Sequence, residues 1–144
     1  MIDFEVRKSV FSAINNIVVD SNVIPVFDSY VNPNVAIPNI RNADCYILIQ
    51  DQQNQLAGIQ NMCSERISHN VTIRVVTKYA TENVVSGKLR DDIAKEVMIA
   101  MRLATSSNLN IQKVEFPVTQ NIDEFANGQT ALTKILIYQI YLNQ

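Results

Sequence analysis

A chain of 144 residues with a net charge of −2 fits a single domain over 1–144, and it lacks the basic balance that broad nucleic-acid binding requires. Its longest apolar run, residues 45–49, falls far short of the roughly 20 residues that span a bilayer, and its start has neither the basic nor the apolar segment of a secretory leader. We therefore expect a chain assembled in a cytoplasm, with no membrane partner and no sequence-specific nucleic-acid partner.

Val6, Val10, Ala13, Ile14 and Ile17 recur at helical spacing and predict a first helix over 3–18 with one apolar stripe. Asp3 can cap its first amides, while Arg7, Lys8, Asn15 and Asn16 fall elsewhere on the wheel. Residues 23–28 read as a short strand that Pro25, lacking an N–H, either breaks or places at a sheet edge. Pro33 and Pro38 make 29–42 a long extended loop, because each disfavours helix at the residue before it, and loops of this length are usually functional or bound to something. Residues 43–50 form a strand whose continuous apolar run implies burial on both faces and a central position. The amide-rich stretch 52–63, with Gly58, reads as a hairpin connection or a flexible excursion.

Residues 65–79 alternate over a long strand. Ile67, His69, Val71, Ile73 and Val75 share one face, and Arg66, Ser68, Asn70, Thr72 and Arg74 the other, with an end long enough to project from the body. A second helix over 84–104 is marked by Leu89, Ile93, Val97, Met101 and Ala104; Asn83 or Ser86 can cap it, and Asp91 and Asp92 suit its dipole. A strand over 111–118 ends at Pro117, a polar loop covers 119–128, and a last strand covers 130–142. The fold class that follows is α+β, in the order α-β-β-β-α-β-β: a four- to five-stranded, mainly antiparallel sheet with two helices on one face.

Chemistry is sparse. His69, the sole imidazole, lies mid-strand on the apolar side with no nucleophile or acid implied beside it, which favours a structural role. Cys45 reads as a small buried hydrophobe, and Cys45 with Cys63 has neither the number nor the spacing of a zinc site. Asp91–Asp92 is accounted for by the helix dipole, and Asp123–Glu124 by a polar loop or an interface. Gly58, Gly87 and Gly128 are isolated, so no phosphate loop is present. We expect no catalytic residue, no cofactor and no metal. Charged residues make up 18% of the chain, below the roughly 25% of typical soluble proteins, with Asn and Gln in their place. Two readings stand side by side: an AT-rich genome favouring Asn and Ile codons, and a surface largely covered by neighbours.

The layout resembles the tail-completion and tail-terminator proteins of tailed bacteriophages, small α/β subunits that form a ring where a tail tube or head connector ends. The resemblance covers most of the chain and is carried by the N-terminal helix, by Ile24-Pro25-Val26-Phe27-Asp28 with the proline-bearing loop after it, and by the strand Ala43-Asp44-Cys45-Tyr46-Ile47-Leu48-Ile49. It continues in the long strand Val71-Thr72-Ile73-Arg74-Val75-Val76-Thr77, the helix over 91–103 and a closing strand pair. No diagnostic motif is among them, and the amide-rich composition and long first loop depart from the family pattern. The resemblance implies a non-enzymatic virion protein of the neck or tail, partnered with further copies of itself and with neck, portal-connector or tail proteins. Contact residues are expected in three loops and on one strand face: Tyr30, Asn32, Asn34 and Asn39; Gln52, Gln53 and Gln55; Asp123 and Glu124; and Arg66 and Arg74. The alternative is a small non-enzymatic α/β ligand-binding or regulatory module, and an oligomer mass separates the two.

Overall fold

The computed structural model describes residues 2–28, 36–61, 64–81, 87–107, 111–114 and 117–142. Helix α1 (Ile2–Ile14) stops short of the expected residue 18. Asn15 and Asn16 compete for backbone hydrogen bonds there, and the β-branched run Ile17-Val18-Val19 favours extended chain. That run enters β1 (Val18–Val19), which folds back on β2 (Asn22–Val23). The turn between them holds both central residues at positive φ, Asp20 at 51° and Ser21 at 64°, the twist that suits a two-residue hairpin.

Pro25 separates β2 from β3 (Val26–Asp28), so the 23–28 stretch is broken there as its missing N–H leads one to expect. The Pro25 carbonyl instead accepts from the Ile47 amide at 2.9 Å. Next come β4 (Asn39–Ile40), β5 (Ala43–Asn61), β6 (Ser64–Ala80), α2 (Lys88–Ser107), β7 (Ile111–Val114), β8 (Val118–Ala126) and β9 (Gln129–Leu142). The sheet runs β3-β5-β6-β9-β7, with β4 also on β5 and β8 also on β9. All its pairings are antiparallel except β3 with β5.

The α+β class is as expected, but among the described residues the sheet has seven strands, and β1–β2 forms a separate two-stranded sheet. The expected count of four or five and the order α-β-β-β-α-β-β are therefore corrected. The excess arises at tight turns that residues other than glycine enter with positive φ, at Asp20-Ser21 and Arg41-Asn42. Two expected loops are strands. Residues 52–61 continue β5, whose main chain is paired along its length with β6; the amide composition concealed a ladder that backbone groups make whatever the side chains. Residues 119–126 belong to β8, which turns into β9 through Asn127 (φ 52°) and Gly128 (φ 74°). Pro117 precedes β8 and does not end a single strand over 111–118.

One core joins the helices to one sheet face. Val6, Val10 and Ile14 of α1 and Leu89, Ile93, Val97 and Met101 of α2 pack with Ile47, Ile49, Val71, Ile73, Val75, Leu136, Tyr138 and Ile140. The expected stripe of α2 is thus buried, and both helices lie on the same side of the sheet. The strand 43–50 is central, between β3 and β6, but only its alternate residues are fully buried; Tyr46 and Leu48 are half-buried on the other face. Arg7, expected on the polar side of α1, is buried too. Its Nη2 donates to Asp28 Oδ1 at 2.6 Å and to the Ile49 carbonyl at 3.0 Å, beside the register shift between Ile49 and Asp51. This pair ties α1 to β3 and β5.

The β5–β6 ladder extends to Asn61 opposite Ser64, whereas β9 pairs with β6 only from Ser68 to Ala80. Beyond Ser68, residues 64–67 pair, among the described residues, with β5 alone, so the end of the long strand is a two-stranded arm.

Candidate functional site

Neither helix covers the second face of the sheet. Its side chains follow from strand alternation and register, because directly paired residues point the same way. One row across the sheet reads Phe27, Leu48, Arg74, Ile135, Gln120, and the next reads Tyr46, Val76, Thr133, Ile122. Flanking these are Ile137 beside Val118 on one side, and Asp44, Lys78, Ala131 and Glu124 on the other. The face is therefore a mainly apolar field with a cation near its centre. Val118 and Ile137 remain 67% and 37% exposed, a pairing of β-branched side chains facing solvent.

Its aromatic corner is ordered by contact. The Phe27 and Tyr46 rings lie 5.6 Å apart at an interplanar angle of 43°, and Lys78 Nζ stands 5.8 Å from the Tyr46 ring centre. Arg74 sits on β6 between Leu48 and Ile135, and its Nε is buried without a hydrogen-bond partner. A guanidinium whose buried Nε is left unpaired, in partly covered apolar surroundings, is a group that a carboxylate would complete.

At the sheet edge, β8 is exposed along nearly its whole length. Phe125 is 72% exposed near the β8–β9 turn, next to Asp123 and Glu124. Asp123 Oδ1 accepts from Arg90 Nη1 at 3.3 Å. Glu124 lies, by strand alternation, on the face that neither helix covers, opposite Ala131.

The described members of the expected contact set lie at separate places in the fold. Asn39 lies in β4 at the opposite edge, where its Nδ2 donates to Asp44 Oδ1 at 3.0 Å. Gln52, Gln53 and Gln55 lie on β5 opposite Val71, Asn70 and Ser68, and Arg66 lies on β6 opposite Gly58; all four are strand positions, not a loop, and of them Arg66 is in the arm. Asp123 and Glu124 are likewise on a strand. Tyr30, Asn32 and Asn34 lie outside the described residues, as do Cys63 and both proposed caps of the second helix, Asn83 and Ser86. His69 is at a β6 position opposite Asn54 and Ile140. The apolar field around Arg74 was missed from sequence, although the alternation of 65–79 already placed Arg74 on the polar-side face.

Elsewhere polar chemistry serves the fold. Arg41 grips Asp20 with two hydrogen bonds, 2.8 and 3.0 Å, and reaches Asp92 of α2 at 3.0 Å, joining two tight turns to a helix. Those hydrogen bonds from Arg41 hold the Asp20 carboxyl below the usual carboxylate range. Burial pushes the Cys45 thiol up to about 11 and the Tyr138 hydroxyl well above its ordinary value. Among the described residues no group of three His, Cys, Asp or Glu side chains could hold a metal ion, and no helix is long and apolar enough to cross a membrane.

In comparisons with known proteins, no family model and no curated protein matches this chain.

Proposed function

We propose that this chain is a virion structural protein, a ring-forming tail terminator or head–tail connector subunit that joins tail to neck in a tailed bacteriophage. The reading starts from the resemblance in layout. The observation that carries it furthest is the sheet face that neither helix covers. A mainly apolar face with exposed Val118 and Ile137 and an arginine whose buried Nε is unpaired is what a subunit surface looks like before its neighbour arrives. Function is then geometric. Identical head-to-tail contacts close a ring, the ring presents one rim to the tube and the other to the neck, and no bond is made or broken. The two-stranded arm of β5 and β6 supplies a projecting contact element. Partners are further copies of the chain and neck, portal-connector or tail proteins, and the place of action is the particle.

The test is fractionation of purified particles. The chain should sediment with them at a fixed, low copy number after washing in high salt. Recovery of the chain only in the unassembled fraction, as a monomer holding a small ligand, would replace this reading with a ligand-binding module.

A further inference from the structure

Resting on the ring reading, we propose that the subunit contact is heterologous. The β8–β9 hairpin end of one copy, led by Glu124 and Phe125, docks on the Arg74-centred sheet face of the next copy. Both halves are on this one molecule. The face offers a cation whose Nε has no partner, set between Leu48 and Ile135 with the Phe27–Tyr46 corner beside it. The hairpin end offers the converse: Phe125, 72% exposed, and on the other side of the same strand Glu124, a carboxylate for which the described residues provide no ion pair, so that an end-on approach presents both.

The two halves cannot meet within one chain. Glu124 lies two strands from β6, in the row of Lys78, and Arg74 is a further four residues along β6. With strands about 4.8 Å apart and about 3.3 Å per residue, the separation is about 16 Å. A two-fold contact of face upon face is disfavoured too, since it would set Arg74 against Arg74 in an apolar setting. Face against hairpin end pairs opposite charges and covers both apolar surfaces. Repeated from copy to copy, such a contact closes a ring or runs on as a filament.

The experiment measures self-association of the full chain by sedimentation velocity and native mass spectrometry up to about 1 mM, a concentration at which even weak contacts register. Arg74→Glu and Glu124→Arg should each weaken association about tenfold or more, because each places like charges in the contact. Phe125→Ser should do the same by removing the aromatic anchor. Mixing the Arg74→Glu and Glu124→Arg proteins should restore association to within about threefold of the native chain, since every contact in an alternating assembly again pairs opposite charges. Circular dichroism controls for folding, and Glu124→Arg, on an exposed strand, keeps the test sound if Arg74→Glu unfolds. Native-like association of Glu124→Arg, absence of rescue on mixing two folded variants, or a native chain monomeric throughout the range overturns this contact. The ring reading is judged separately, by whether the chain is part of the particle.

Discussion

The Arg7–Asp28 pair is the part of the fold whose energetics can be worked out most fully. Both side chains are nearly solvent-free, at 5% and 8% exposure, and the guanidinium also serves the Ile49 carbonyl. Arg7→Met keeps most of the volume and the helix propensity of α1 but leaves the buried Asp28 carboxylate without its Arg7 counter-charge, a loss of about 3–5 kcal/mol. Losing the hydrogen bond to Ile49 adds about 1 kcal/mol. In a domain of this size these sum to a fall in Tm of roughly 10–20 °C. Adding Asp28→Leu removes the stranded charge, so the double variant should regain most of the loss, retaining a deficit of about 1 kcal/mol for the Ile49 carbonyl. Urea unfolding followed by circular dichroism, with the four proteins forming a double-mutant cycle, reads both numbers. A cost below about 1 kcal/mol for Arg7→Met, or a double variant less stable than the single one, would refute the reasoning.

Four further outcomes follow from single residues. Ile93→Asp sets an unpaired charge in the core between α2 and the sheet and should prevent folding; a soluble, cooperatively folded variant would sink the assignment of that helix face. Tyr138→Phe removes a buried hydroxyl with no hydrogen-bond partner and should leave stability unchanged or raise it by about 1 kcal/mol, whereas a loss of that size in thermal unfolding would mean the hydroxyl is satisfied. Asp20 has a folded pKa below its ordinary 3.8, so its contribution is present in full above that value and is lost as the pH falls from there through the lower folded value. Asp20→Asn should flatten that part of the Tm–pH curve, and an unchanged acid limb would contradict the role given to Arg41. With its thiol pushed up to about 11, Cys45 in a Cys63→Ser background should resist iodoacetamide at neutral pH until the chain is unfolded; alkylation of the native protein at the rate of a free thiol would count against its burial.

What could be read from sequence was the periodic part. The stripe Leu89, Ile93, Val97, Met101 and the alternation Val71, Ile73, Val75 both reach the core, because each period matches an element buried on one side. A helical wheel places Arg7 toward solvent because it assigns charge there and has no means of seeing a carboxylate on a distant strand, here Asp28. Composition alone reads 52–61 as a loop, because it carries no information on pairing, and the partner that makes them a strand is β6. The β8–β9 hairpin, in contrast, was available: Asn127-Gly128 between alternating stretches is a strong turn signal that the polar composition of 119–128 obscured. The face that neither helix covers was half legible. Alternation put Arg74 on it, but the neighbours Leu48 and Ile135 come from strands whose register only the folded sheet defines.

Imaging of the particle tests the central claim most directly. Cryo-electron microscopy of purified virions should place this chain at the neck or the tail end as a closed ring of identical subunits, each interface burying well above about 1,000 Å². Particles in which the neck and tail end are fully accounted for by other chains, with this one absent, would contradict the account.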